Sequence, residues 1–238
     1  MIDAASLAEA FAPDYSQARG KFLAAAEAAG AELSALLHPG RGLADEELAM
    51  DLAWVGSRSA QHVLVIASGT HGGEGFMGSG LQVQLLRDLA SGAAGAVDAE
   101  LERELSLLFV HAHNPHGFSW VRRVNEDNID LNRNFVDFGS PVPANATYAE
   151  LHEWLVPEDW EGPAYHAAEE AISGWIAAHG EGAFYAAVGG GQYTHADGLF
   201  YGGAGPSWTR RSVAQLCARH LADTRERAKL STISRNRC

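Results

Sequence analysis

The sequence predicts an α/β domain built on a largely parallel sheet. Two short apolar runs, His62 to Ile66 and Leu105 to Val110, have the length and composition of buried strands. Between them, Gly80 to Leu89 carries apolar residues at helical spacing. A strand, a helix and a second strand in this order form a right-handed crossover between parallel strands. Open α/β sheets bind ligands beyond the carboxyl ends of their strands, so the segments after Ala67 and Val110 are the places to look for a site.

The N-terminal third supplies helices and one more strand. Ala4 to Leu37 is rich in alanine with apolar residues at helical spacing, and Pro13 interrupts it, which predicts two helices. The apolar run Leu48 to Val55 is predicted to be a buried strand next to His62 to Ile66.

The C-terminal half is predicted to be helical around one long loop. Tyr165 to His179 and Trp208 to Thr224 have helical patterns, and the loop between them, GGGQYTHADGLFYGG, is dense in glycine and contains three aromatic residues. Its length suggests a functional or capping loop. The sequence contains neither a repeat nor a flexible linker, so residues 1–238 are expected to form a single domain.

Composition excludes several classes of partner. Thirty acidic residues against 17 Lys and Arg give a net charge of −13, which repels nucleic acid and anionic lipid. Two cysteines, Cys217 and Cys238, are too few for a disulfide framework and fit a reducing cytoplasm. The N-terminus lacks the pattern of a secretory signal, and no apolar run approaches about 18 residues. We therefore expect a soluble cytoplasmic protein that does not bind membranes.

The first chemical motif follows the strand HVLVIAS. His71 and Glu74 stand three residues apart in GTHGGEG, where the strand gives way to a helix. Glycines on both sides let an imidazole and a carboxylate converge, and zinc accepts both as ligands. The alternative is that the two are unrelated polar residues, with Glu74 placed for the helix dipole.

The second motif is a group of arginines after the next strand. Arg122 and Arg123 are followed by Asn132 and Arg133. A guanidinium grips a carboxylate through two parallel hydrogen bonds, and an adjacent amide can donate a third. The alternative is that the arginines form weak surface ion pairs with neighbouring acids, Glu126, Asp127 and Asp130.

Taken together, these motifs resemble the zinc carboxypeptidase superfamily. The ordered features are His71-x-x-Glu74, Asn114-Pro115-x-Gly117, Arg123 and DLNRNF from Asp130, and they cover roughly Val63 to Phe138. The segments SGTHGGEGFMGS, HNPHGFSWVRRVNEDNIDLNRNF and GQYTHADGLFYGG resemble an uncharacterised bacterial group of it. That group is related to carboxypeptidase A and to the succinylglutamate desuccinylase and aspartoacylase deacylases.

The resemblance implies a fold, a cofactor and a set of site residues. It implies a mixed, mostly parallel sheet with helices on both faces, the phosphorylase/hydrolase-like fold. His71 and Glu74 would be zinc ligands, Asn132 and Arg133 would bind the carboxylate of a small substrate, and Arg123 would polarise the scissile carbonyl, with Arg122 as the alternative. The substrate would be a peptide C-terminus or an N-acyl amino acid.

The sequence also departs from the superfamily pattern. The third zinc ligand, a histidine in a segment such as Ile-Asp-x-His-Thr-Gly, and a later general-base glutamate are not found. We therefore expect a domain that lacks its C-terminal part, with a truncation or frameshift near Ala228. His111 or His113, at a strand's carboxyl end, could replace the missing ligand, although a packing role is commoner for such residues.

Two hypotheses for the function follow. The first is a zinc-dependent hydrolase of amide bonds next to a carboxylate, impaired by the loss of the third ligand and the general base. The second is a non-catalytic remnant or a carboxylate-binding module. Nucleotide binding through the glycines from Gly189 to Gly191 is disfavoured, because the strand, glycine and helix fingerprint of a phosphate site is missing.

Overall fold

The computed structural model describes residues 7–92, 104–221 and 228–230, the last three by their backbone alone. The helices and strands follow one another in the order α1 (Tyr15–Ala28), β1 (Glu32–Arg41), β2 (Glu47–Val55), β3 (His62–Ala67), α2 (Gly72–Ser91), β4 (Leu105–His111), α3 (Pro115–Ser119), α4 (Leu131–Asn134), α5 (Ala146–Leu155), α6 (Pro163–His179), α7 (Glu181–Gly189), α8 (Trp208–His220) and β5 (Ala228–Leu230).

The chain divides into two compact units. Unit 1 comprises Met1–Arg123 and Arg211–Cys238, and unit 2 comprises Val124–Arg210. That residues 1–238 act as a single domain remains a prediction.

Unit 1 contains a five-stranded sheet in the order β1, β2, β4, β3, β5. The β1–β2 and β2–β4 pairs are antiparallel, while β3 pairs in parallel with both β4 and β5. The predicted α/β class and mixed sheet are confirmed, with two parallel and two antiparallel pairings among the described strands. The prediction that β2 lies next to β3 is wrong, because β4 lies between them. Residues Ala228–Leu230 pair through their backbone with β3.

The N-terminal prediction of two helices is also partly wrong. Helix α1 begins after Asp14, whose carboxylate accepts a hydrogen bond from the backbone N–H of Gln17 at 2.8 Å. It ends at Ala28, and the segment predicted to continue the helical pattern forms β1 instead. Leu33 and Leu37 pair there with Ala53 and Ala49 of β2. Backbone pairing with a neighbouring strand outweighs the weak helical preference of this segment.

Helices pack on both faces of the sheet, as predicted. One face carries a core to which α1, α2 and three strands contribute Phe22, Val83, Leu86, Ala53, Ile66 and Phe109. Side chains alternate between the faces of a strand, so Trp54 points away from its neighbour Ala53. Its ring stacks with His220 of α8 at a centroid distance of 6.4 Å.

Unit 2 holds α4 to α7 and the glycine-dense loop. Its core consists of apolar residues from α5 and α7, namely Tyr148, Leu151, Leu155, Ala187 and Val188. The predicted helix from Tyr165 is confirmed within α6, whereas α5 and α7 were not predicted. Helix α8 is confirmed from Trp208 to His220, and its predicted end at Thr224 lies outside the described residues.

Candidate functional site

His71 and Glu74 lie together where β3 passes into α2. His71 is the N-cap residue of α2, and Glu74 is in the first turn. The imidazole is 3% exposed and the Glu74 side chain is 57% exposed. Nδ1 of His71 lies 3.3 Å from Oε2 of Glu74. The sheet's edge therefore presents a buried nitrogen and an accessible carboxylate at one point.

Main-chain hydrogen bonds join the loop that carries His71 to the loop after β4. Ser68 and Gly69 accept, through their carbonyl oxygens, from the backbone N–H groups of His113 and Asn114, both at 2.9 Å. These bonds continue the parallel pairing of β3 and β4 beyond the strand ends. The two loops singled out from the sequence therefore meet at the same edge of the sheet.

A second set of contacts fixes the start of α2. The N–H of Gly72 donates to the carbonyl oxygen of Arg122 at 2.9 Å, and the N–H of Arg122 donates to that of Gly117 at 2.8 Å. A Cβ atom at position 72 would lie 1.7 Å from the Gly117 oxygen, so the backbones meet where a side chain has no room. The glycine next to His71 is thus explained by this close approach.

Arg123 directly follows the residue that is bonded to the start of α2. Arg122 and Arg123 are both exposed. Only the backbone of Arg122 takes part in the hydrogen bonds just described, so the choice between them as the catalytic arginine remains a prediction.

His111 lies in the core, and its position contradicts its use as a ligand at the loop. Its ring is fully buried and stacks on Phe22 at 4.5 Å, and its Nε2 lies 2.8 Å from Oγ of Ser79. Burial, assisted by the charge of Arg19, lowers the pKa of His111 to about 3. It is therefore a neutral core residue.

His113 lies closer to the loop that carries His71. Its Nδ1 is 3.4 Å from Oγ1 of Thr70, and burial lowers its pKa to about 4. This imidazole is neutral at physiological pH. It occupies the edge of the loop without joining His71 and Glu74 in a metal-binding group.

In unit 2, the DLNRN motif forms the short helix α4. Asp130 caps it by accepting from the N–H of Asn132 at 2.9 Å. Asn134 is fully buried, and its Nδ2 donates to the carbonyl oxygens of Gly202 and Gly205 at 2.8 and 2.9 Å. These two residues hold the motif in place while Asn132 is exposed. Their structural role was not predicted, although an Asp residue directly before a helix is a typical N-cap signal.

Arg133 is held by main-chain oxygens. Its Nη2 donates to Gly189 O at 2.6 Å, and its Nη1 lies 3.5 Å from Asn132 O. Its Cζ lies 5.8 Å from the centre of the Phe200 ring. No carboxylate in the described part of the chain pairs with this guanidinium. The alternative of a surface ion pair with a nearby acid is therefore wrong for Arg133.

The comparison with protein families shows which family the chain belongs to. A family model described as "Protein of unknown function (DUF2817)" matches residues 11–232. The chain belongs to this family, DUF2817. Among curated proteins, none matches it.

Solved structures similar to the DUF2817 chain include several carboxypeptidases. A metallo-carboxypeptidase from Burkholderia cenocepacia is 21% identical, with 66% of this chain and 37% of that one covered and a TM-score of 0.39. Thrombin activatable fibrinolysis inhibitor is 15% identical, with 56% of this chain and 36% of that one covered and a TM-score of 0.41. Carboxypeptidase A from Helicoverpa armigera is also 15% identical, with 52% of this chain and 33% of that one covered and a TM-score of 0.38. The DUF2817 chain thus spans well under half the length of each of these proteins.

The donor pair of the DUF2817 chain fits two positions of a zinc site. Zinc bonds imidazole nitrogen at about 2.0–2.1 Å and carboxylate oxygen at about 2.0–2.2 Å, so two ligands at a tetrahedral angle lie about 3.4 Å apart. The separation of 3.3 Å between His71 and Glu74 agrees with this distance. Within residues 7–92 and 104–221, no third His, Cys, Asp or Glu completes a metal-binding group.

In the portion of the DUF2817 chain that the structure describes, every helix is too short or too polar to span a bilayer.

Proposed function

We propose that the DUF2817 chain provides the metal-binding and carboxylate-binding residues of a zinc-dependent hydrolase that cleaves amide bonds next to a carboxylate. The reaction would be of the metallocarboxypeptidase or N-acyl amino acid deacylase type. The observation that carries the proposal is the 3.3 Å approach of His71 Nδ1 to Glu74 Oε2 at the start of α2. The contact is a hydrogen bond or ion pair in the structure, and its length also matches the separation of two ligands on one ion.

In unit 1, His71 and Glu74 would hold the metal. A zinc ion supplies Lewis acidity and lowers the pKa of a bound water to about 7. The burial of His71 and the backbone hydrogen bonds of Gly72 fix the direction from which the imidazole nitrogen is presented. Arg123, or else Arg122, would donate hydrogen bonds to the carbonyl oxygen of the scissile amide as negative charge develops on it.

In unit 2, Asn132 and Arg133 would bind the substrate carboxylate. The guanidinium of Arg133 is anchored by the oxygen of Gly189, and no carboxylate of the described residues neutralises it. A cation held by neutral oxygens in this way retains its affinity for an external anion. Asn132, exposed beside it, can add an amide donor.

The partner and the location follow from the same chemistry. We propose a small substrate with a free carboxylate, and we expect neither nucleic acid nor membrane as a partner, given the net charge of −13. The free thiol of Cys217 supports a reducing cytoplasm.

A second candidate function is a carboxylate-binding module without turnover. Arg133 supports it, because the anchoring of this guanidinium by Gly189 O requires no metal. Under this alternative the protein would bind small carboxylates equally well with and without zinc.

The experiment that separates the two candidates measures amide hydrolysis by the zinc-loaded protein. N-acetyl amino acids and N-acyl dipeptides are incubated beside the same compounds with a C-terminal carboxamide, and the released amine is quantified. We expect hydrolysis of the free carboxylates alone, and its loss with a chelator or with His71→Ala. Carboxylate binding that depends on Arg133, without hydrolysis of any compound at full zinc loading, would establish the binding module instead.

A further inference from the structure

The turn that ends α7 forms the seat of Arg133. Gly189 lends its carbonyl oxygen to Nη2 of Arg133 at 2.6 Å. At Gly191, an added Cβ would lie 2.6 Å from Cδ and 2.7 Å from Nε of Arg133. Gly191 also has a φ of 80°, in the region that favours glycine. The arginine stem therefore fills the space that a side chain at position 191 would need.

Asn145 fixes this turn from the other side. Its Nδ2 donates to the carbonyl oxygens of Ala187 at 2.7 Å and Gly191 at 2.8 Å. Its Oδ1 accepts from the N–H of Tyr148 at 3.0 Å and so caps α5. One amide group thus links the start of α5 to the end of α7, and the end of α7 holds the guanidinium.

This position at the end of α7 stabilises the guanidinium of Arg133 before any anion is bound. The carbonyl oxygens at the C-terminal end of α7 carry partial negative charge, which stabilises the guanidinium when no anion is bound. The Nε of Arg133 is buried and has no hydrogen-bond partner among the described residues, so the stem is enclosed at that side. A side chain fixed in this way loses less conformational freedom when it binds a carboxylate.

We infer that Gly191 and Asn145 are positioning residues for the carboxylate clamp: they seat the guanidinium of Arg133 at the end of α7 and thereby set its affinity for a substrate carboxylate. This inference rests on the proposed role of Arg133. The glycine cluster that the sequence left without a chemical role acquires one through this arrangement.

The test uses the full chain labelled with ¹⁵N-arginine and 3-phenylpropionate, a carboxylate without an amide bond. Its affinity is measured by NMR titration, and the Nε–H resonance of Arg133 is assigned with Arg133→Lys. Gly191→Ala is compared with Gly182→Ala, in the first part of α7, where an added Cβ meets no atom within 4 Å. We expect Gly191→Ala to weaken binding by about tenfold and to move the Nε–H resonance, while Gly182→Ala changes neither.

A second variant covers the case in which Gly191→Ala fails to fold. Asn145→Asp retains the oxygen that accepts from Tyr148 but loses the two donated hydrogen bonds, so we expect weaker carboxylate binding with α5 intact. Wild-type affinity in both Gly191→Ala and Asn145→Asp, with loss of binding in Arg133→Lys, would overturn the inference and leave the proposed function standing. Wild-type affinity in Arg133→Lys would overturn the carboxylate role itself.

Discussion

The backbones of Gly72 and Gly117 meet at a distance that leaves no space for a side chain. A Cβ atom on Gly72 would lie 1.7 Å from the Gly117 oxygen, and real Cβ contacts stay above 3.0 Å. Because Gly72 is the first residue of α2 and follows His71 directly, this approach sets the position of the candidate metal ligands.

The close approach predicts opposite effects at two neighbouring glycines. Gly72→Ala should lower the free energy of unfolding by about 3 kcal/mol, because the backbone must move to admit the methyl group. Gly73→Ala, in the same helical turn with nothing within 4 Å of its added Cβ, should raise that free energy by about 0.5 kcal/mol. Urea denaturation of both variants checks this. Equal effects at the two positions would contradict the packing described here.

An ion pair between a partly buried arginine and a buried carboxylate links α1 to β2. Arg19 donates from Nε and Nη2 to the two carboxylate oxygens of Asp51 at 2.8 and 3.2 Å, and Asp51 is 1% exposed. Burial raises the pKa of Asp51 even beside this guanidinium. We expect Arg19→Met to cost about 3 kcal/mol in unfolding free energy, because it leaves a buried carboxylate without a cation.

The matched control for Arg19 is a surface ion pair of the same chemistry. Glu32, 65% exposed, lies 2.8 Å from Arg58. Glu32→Gln should lower the free energy of unfolding far less than Arg19→Met does in the same denaturation experiment, because solvent screens an exposed ion pair. If Arg19→Met lowers the free energy of unfolding no more than Glu32→Gln does, the prediction that the pair of Arg19 and Asp51 stabilises the fold is contradicted.

The lowered pKa of His111 predicts that the stability of the fold depends on pH. The pKa of His111 is about 3 when folded and 6.5 at its ordinary value, so the unfolded chain binds more protons between these limits. Its contribution to stability is complete above about pH 6.5 and is lost as the pH falls toward 3. Between pH 7 and pH 5 the loss amounts to about 2 kcal/mol. His111→Gln should remove this part of the change, as measured by thermal unfolding at both pH values. An identical pH dependence in wild type and variant would refute the assignment.

Strong local patterns were enough to predict much of unit 1 from the sequence. The apolar runs that became β2, β3 and β4 and the crossover helix α2 were all predicted. The placement of β4 between β2 and β3 was not, because strand order depends on pairing between distant segments. For the same reason the sequence predicts a helix where β1 forms, since its alanine and leucine residues favour a helix until β2 is present to pair with it.

In the candidate site, too, local spacing could be predicted from the sequence and contacts between distant segments could not. The spacing of His71 and Glu74 predicts that their side chains converge. The structure brings them together because side chains three positions apart at the start of a helix lie on the same side of it. The seat of Arg133 could not be predicted, because Gly189, Gly191 and Asn145 contact one another only after α5 and α7 have packed. Their sequence pattern indicates turns and a cap, without indicating what the turn holds.

Zinc occupancy tests the central claim most directly. The protein and its variants are loaded with zinc at neutral pH and dialysed, and bound metal is counted by mass spectrometry, with Glu170→Gln on the exposed side of α6 as control. We predict substantial zinc in wild type and control, and a fall of more than about tenfold in His71→Ala and Glu74→Gln. Less than about a tenth of an equivalent in the wild type, or equal zinc in all four proteins, would contradict a metal shared by His71 and Glu74.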